Sequence, residues 1–213
     1  MTTTKVQALT IEPPSFQTAE FKIIGDSPYV QNKFSKKAMN TMMDKQKEGS
    51  TAAKGKKRTA RDFKADYEGA KHKSRQGWCG IPAPAFRSAM IRACSVCGFK
   101  MTIAKMTVFV EADGFDPDDG TPLVKITKGK PHSVDHAVRN ATGVADIRSR
   151  PMWNEGWEAK VRIKYDSDQF KLEDVANLLM RAGQQVGVGE GRPSSKSSNG
   201  MGWGTFVISN GKK

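Results

Sequence analysis

KLEDVANLLMRAGQQVGVGEGRPSSKSSNGMGWGTFVIS, residues 171–209, runs through three patterns in succession. Residues 171–182 place Leu172, Val175, Ala176, Leu179 and Ala182 at the spacing of one apolar helix face, and Gly183 stands where a helix cap belongs. Residues 205–209 read as a short strand. Between them lies a loop with seven glycines, four serines, Arg192 and Lys196. Glycine loses more backbone entropy on folding than any other residue, so such density implies positive φ or close backbone approach to a ligand. A flexible linker would have no use for Val186, Val188, Met201 and Trp203 among its glycines. The order helix, loop, strand is the reverse of a phosphate-binding P-loop, and no G-x-x-x-x-G-K-[ST] is present. It equally excludes a dinucleotide fingerprint. The pattern suits backbone and side-chain donors offered to phosphate by Gly187, Gly189, Arg192, Lys196, Gly200 and Gly202.

Upstream, residues 157–165 alternate cleanly and read as a strand, as do residues 16–25. Residues 81–97 predict a helix behind a proline-bounded start, with Phe86, Met90, Ile91 and Cys94 facing inward and Arg87 and Arg92 less buried. Residues 101–111 and 123–127 read as strands, and residues 128–146 as a loop. Setting aside a basic insertion, the order is β-α-β-β-α-β. That predicts an α+β fold, a ferredoxin-like or RRM-type antiparallel sheet with two helices. The expected core domain spans residues 1–32 and 78–213, with residues 33–77 as a thumb- or palm-like insertion.

The chain has 213 residues and a formal net charge of +13. Its pI near 9.7 favours an anionic partner, nucleic acid first. Most of the surplus lies in residues 33–75, with fourteen cations against five carboxylates and few aliphatic residues after Met43. Lys33, Lys36, Lys37, Lys54, Lys56, Lys57, Arg58 and Arg61 are the expected phosphate contacts there. Phe63 and Tyr67 between such cations would stack on bases. No stretch has transmembrane length or a signal-peptide core, and an odd count of three cysteines suits a reducing compartment. The expected location is the cytoplasm, with no membrane partner. Cys94-x-x-Cys97 lacks a second ligand pair for zinc, although Cys79 and His72 are conceivable ligands. The acidic turn 114–120 lacks EF-hand spacing. No metal or cofactor is expected.

Three stretches together resemble the Cas7-like branch of the RAMP superfamily, the backbone subunits of CRISPR effector complexes. Ile81-Pro82-Ala83-Pro84-Ala85-Phe86-Arg87-Ser88-Ala89 is similar to that family's opening of its first helix. Residues 157–182 look like its late strand and second helix, and residues 186–206 like its C-terminal Gly-rich loop. The resemblance implies a subunit, standard or a reduced mobile-element relative, that coats single-stranded RNA. It also implies stacking of copies into a helical filament, with or without other CRISPR-like subunits. Two alternatives stay open. A phage-type single-stranded DNA-binding or annealing protein would use the same charge and aromatics. A Cas6-like metal-independent endoribonuclease would draw its acid and base from His72, His132 and His136. The expectation is a binding protein, not an enzyme.

Overall fold

A computed structural model of the chain describes residues 11–34, 36–48, 61–139, 145–195 and 200–209. In chain order the elements are β1 (Phe16–Gly25), β2 (Tyr29–Val30), α1 (Lys36–Glu48), α2 (Phe63–Gly69), β3 (Gly80–Pro82), α3 (Ala83–Cys94), α4 (Met101–Thr107) and β4 (Val108–Glu111). Then come β5 (Gly114–Phe115), β6 (Pro122–Lys128), β7 (His132–Arg139), β8 (Ala145–Trp153), β9 (Glu158–Asp166), α5 (Leu172–Arg181), a π-helical turn (Ala182–Val186) and β10 (Phe206–Ile208).

The fold is α+β with two antiparallel sheets. β9 is the axis of the larger one. Its alternation buries Ala159, Val161, Ile163 and Tyr165 while Lys160 and Lys164 stay exposed. β1 pairs with it from Phe16↔Asp166 to Ile24↔Glu158. β10 pairs with the far edge of β1. β4 and β6 share the other edge of β9, and β3 and β5 pair with β6. Helix α3 packs on β4, β6 and α5, and α5 packs on β10. Their inward residues Phe86, Met90, Val175 and Leu179 are fully buried with Ile23, Val161 and Ile163. Each such side chain contributes about 1.5–3 kcal/mol of transfer free energy.

The smaller sheet is β2-β8-β7. A run of rings couples it to the larger one. Trp153 of β8 meets Tyr29 of β2 at 5.4 Å, Tyr29 meets Trp157 at 5.6 Å, Trp157 meets Phe206 at 6.2 Å, and Phe206 meets Phe86 at 5.6 Å. The Trp157 indole N–H is satisfied by the Ser27 carbonyl at 2.9 Å.

Four expectations need correction. The fold is not one sheet with two helices, because a second sheet and further helices are present. Residues 101–107 are helical; the buried positions Ala104 and Thr107 lie three apart, which the apparent alternation of Met101 and Ile103 concealed. Much of residues 128–146 belongs to the β7–β8 hairpin, whose β7 is mostly exposed and so carries no apolar alternation. Gly183 is not the cap. The chain continues through the π turn to Gly187, whose φ of 70° ends it. A Cβ at Gly183 would stand 2.1 Å from the Phe206 carbonyl oxygen, so close packing of β10 selects glycine there.

The end of the basic segment is built into the body. Asp62 caps α2 by accepting from Ala65 N–H at 3.0 Å. Ala70, Lys71, His72 and Ser74 are buried. Gln31 clamps this stretch, accepting from His72 N–H at 2.8 Å and donating to the Gly80 carbonyl at 2.7 Å.

Candidate nucleic-acid interface

A cleft of about 1750 Å³ opens where α3, the Gly-rich loop and the β7–β8 hairpin meet. The loop that forms one wall is stitched in place. Val188 N–H donates to Gly204 at 2.9 Å, Gly204 to Pro28 at 2.7 Å, Glu190 to Val30 at 2.9 Å and Trp203 to Gly191 at 3.1 Å. Gly189 and Gly204 both have positive φ and lie against backbone oxygens. Gly200 and Gly202 also have positive φ, but open space surrounds them.

Five cations and one carboxylate, Glu190, line the cleft among the described residues. Arg92 on α3 and Lys105 on α4 are exposed, and neither makes an ion pair among the described residues. Arg148 on β8 lies 3.5 Å from Asp146 and 3.9 Å from Glu190. Arg192 donates to the Gly189 carbonyl at 2.9 Å. Arg87 donates to the Val108 carbonyl at 2.9 Å and to that of Lys105, and lies over Phe109 at 5.0 Å, so it ties α3 to the α4–β4 junction. Glu190 accepts from Arg150 at 2.9 Å and has His136 Nε2 at 3.7 Å. Burial alone would raise its carboxyl, but His136 and Arg150 outweigh that and hold it below the usual range.

Of the residues expected from sequence, the cleft gathers Arg87, Arg92, Gly187, Gly189 and Arg192. Gly202 adjoins it between the lining residues Met201 and Trp203. Lys54, Lys56, Lys57, Arg58 and Lys196 lie outside the described residues, as do the side chains of Lys36 and Lys37. Lys33 is buried, donating to Asp116 at 2.8 Å and Asp118 at 2.7 Å, which removes it from any surface contact. Burial would lower its pKa, but the two carboxylates outweigh that and hold it raised. Arg61 pairs with Asp66 and Asp146. Tyr67 donates to the Pro131 carbonyl at 3.1 Å, and its ring is covered by Lys71 at 3.7 Å. Phe63 is exposed. Sequence reasoning passed over Lys105, because residues 101–107 were read as strand. It passed over Arg148, His136 and Trp203 as cleft-lining groups; the alternation in 145–153 was the available signal for Arg148.

Two of the histidines line the cleft: His72, buried with Nδ1 3.0 Å from Asp116, and His136; His132 is exposed on β7 away from the cleft lining. His72, Asp116 and Asp119 offer ligand atoms within 4.8 Å of one another. The Lys33 ammonium already neutralises Asp116 there, a poor donor set for a cation. Cys94 is buried and Cys79 half-buried, and burial pushes both thiols up.

The open face of the larger sheet has a different electrostatic character. Lys22 and Lys128 bind Glu158 at 2.8 and 3.1 Å, Lys160 binds Glu20 at 3.1 Å, and Arg162 binds Asp113 at 2.7 Å. Its cations are largely spent on its own carboxylates. No helix among the described residues is long and apolar enough to cross a membrane.

No protein-family model matches the chain, and no curated protein matches it in sequence.

Proposed function

We propose that the protein binds single-stranded nucleic acid, RNA foremost, along this cleft, as a Cas7-like subunit that stacks on copies of itself. The observation that carries the reading is the cleft's charge. Three segments distant in sequence converge there, bringing five cations against one carboxylate. Two of those cations, Arg92 and Lys105, have no carboxylate to satisfy them among the described residues. A phosphate backbone supplies what they lack. The neutralised open sheet face argues against the alternative platform across the strands.

Strand order supports the family resemblance. β10-β1-β9-β4 follows the fourth-first-third-second order of a ferredoxin-like βαββαβ unit, with α3 and α5 as its two helices. In this reading the remaining strands and the basic segment elaborate that unit. Binding without cleavage is the proposed activity. Two histidines line the cleft among the described residues, His136 with Glu190 3.7 Å away and the buried His72, whose Nδ1 is taken by Asp116 at 3.0 Å.

Fluorescence anisotropy with labelled single-stranded RNA, single-stranded DNA and duplex tests this. Arg92→Ala and Lys105→Ala should each weaken binding and flatten the log–log salt dependence by about 0.7 per lost phosphate contact. Unchanged slopes in both variants would remove the strand from the cleft. Tighter binding of DNA than RNA would select the phage-type reading. Strand cleavage lost in His136→Ala would select the endoribonuclease. Particle mass that rises stepwise with RNA length supports stacking; one copy per strand at every length refutes it.

A further inference from the structure

We infer that Trp203 and His136 form a nucleobase subsite in the cleft, one that stacks a base on the indole and takes a hydrogen bond from it, in adenine from the exocyclic amino group. The inference rests on the strand-binding reading and specifies what part of the strand is taken there.

Trp203 is held as a platform. Its backbone N–H donates to the Gly191 carbonyl at 3.1 Å, and its ring lies so near that backbone that a Cβ at Gly191 would fall 2.4 Å from the ring. Gly191 has φ of +76° and is buried, so the loop has given up a side chain to seat the indole. The indole remains partly exposed in the cleft. Gly202 beside it has open space where a side chain would stand. A half-exposed indole backed by a fixed loop is the surface on which a base stacks.

His136 meets that indole edge-to-face, with ring centroids 5.5 Å apart and planes at 89°. Its side chain is only 10% exposed. Nε2 lies 3.7 Å from the Glu190 carboxylate, which favours the tautomer with hydrogen on Nε2. Nδ1 is then a lone-pair acceptor, and it is buried with no hydrogen-bond partner. Buried polar atoms are nearly always satisfied, and an orphan beside a ligand cleft marks a place for a ligand group. The missing partner is a donor. Adenine, cytosine and guanine carry one as an exocyclic amino group, whereas uracil offers only its ring N3–H.

The test uses three labelled strands of one length: oligoadenosine, the same strand built from purine riboside, and an abasic strand. Purine riboside keeps the stacking face and lacks the amino group. Wild-type protein should bind oligoadenosine about threefold to tenfold more tightly than purine riboside, the worth of one neutral hydrogen bond. Both should bind more tightly than the abasic strand. Trp203→Leu should shrink the preference for base over abasic. If Trp203→Leu fails to fold, Trp203→Phe decides by fluorescence. It should bind oligoadenosine, but the tryptophan quenching seen on binding to wild type should be lost. Equal quenching in the two proteins, or equal affinity for all three strands, overturns the subsite and leaves strand binding standing. Binding of none of the strands overturns both.

Discussion

Changing Gly204 to alanine tests whether the Gly-rich loop is a fixed wall. Gly204 has φ of +71°, and an ideal Cβ there lies 1.7 Å from the Val188 carbonyl oxygen. The obstacle is backbone, and two hydrogen bonds hold it: Val188 N–H to Gly204 at 2.9 Å and Gly204 N–H to Pro28 at 2.7 Å. An L residue at positive φ costs about 1–2 kcal/mol. Opening the clash sacrifices or stretches both bonds, each worth about 0.5–1.5 kcal/mol net. The total is about 2–5 kcal/mol. At about 2–4 °C per kcal/mol for a chain of this size, the melting temperature should fall by about 4–20 °C. Gly202→Ala is the matched control, with φ of +74° and nothing within 4 Å of the added carbon. It should lose only the conformational cost, about 1–2 kcal/mol. Thermal melts followed by near-UV circular dichroism read both. Equal losses in the two variants would refute the claim that Gly204 is chosen by contact and not by φ alone.

Two further predictions concern the buried ion cluster. Lys33→Met should destabilise by about 3–5 kcal/mol, because it leaves the buried Asp116 without its ammonium; a variant with wild-type denaturant midpoint but weakened strand binding would instead make Lys33 a surface contact. His72 has its pKa lowered, burial outweighing the pull of Asp116, so the fold holds it neutral while the unfolded chain protonates it near the ordinary value. Its contribution is therefore complete above about pH 6.5 and shrinks as pH falls below that value toward the folded pKa. The stability of wild type should drop between pH 7.5 and 5.5 more than that of His72→Gln, and parallel pH profiles would remove the assignment.

The central elements were legible in sequence because burial imposes a period. β1 has its expected bounds, and β9 and α5 lie within a residue of theirs, since one face of each meets a continuous core. β7 was illegible for the opposite reason. It edges a small sheet, most of its residues are exposed, and nothing forces apolar residues into alternation. The Gly-rich loop was legible as a loop with purpose, but the division of labour inside it was not. Gly204 answers to the Val188 carbonyl and Gly191 to the Trp203 ring, and those partners meet only in the folded chain.

Charge is the property that sequence located least well, and the reason is general. Counting cations by segment assigns them to solvent, yet a cation beside a carboxylate offers little to a phosphate. Of the fourteen cations in residues 33–75, Lys33, Arg61, Lys71 and Lys73 are bound to Asp116 and Asp118, Asp146 and Asp66, and Glu68. Glu68 is held below the usual carboxylate range by Lys71 and Lys73 together, so both ammonium groups are engaged by the same carboxylate. Arg92 and Lys105 stand in segments with ordinary charge, and both are cleft cations with no carboxylate partner among the described residues. What attracts a strand is the excess that remains after the fold has paired its own charges. In the described part of this protein one such excess lies between α3, α4 and the Gly-rich loop.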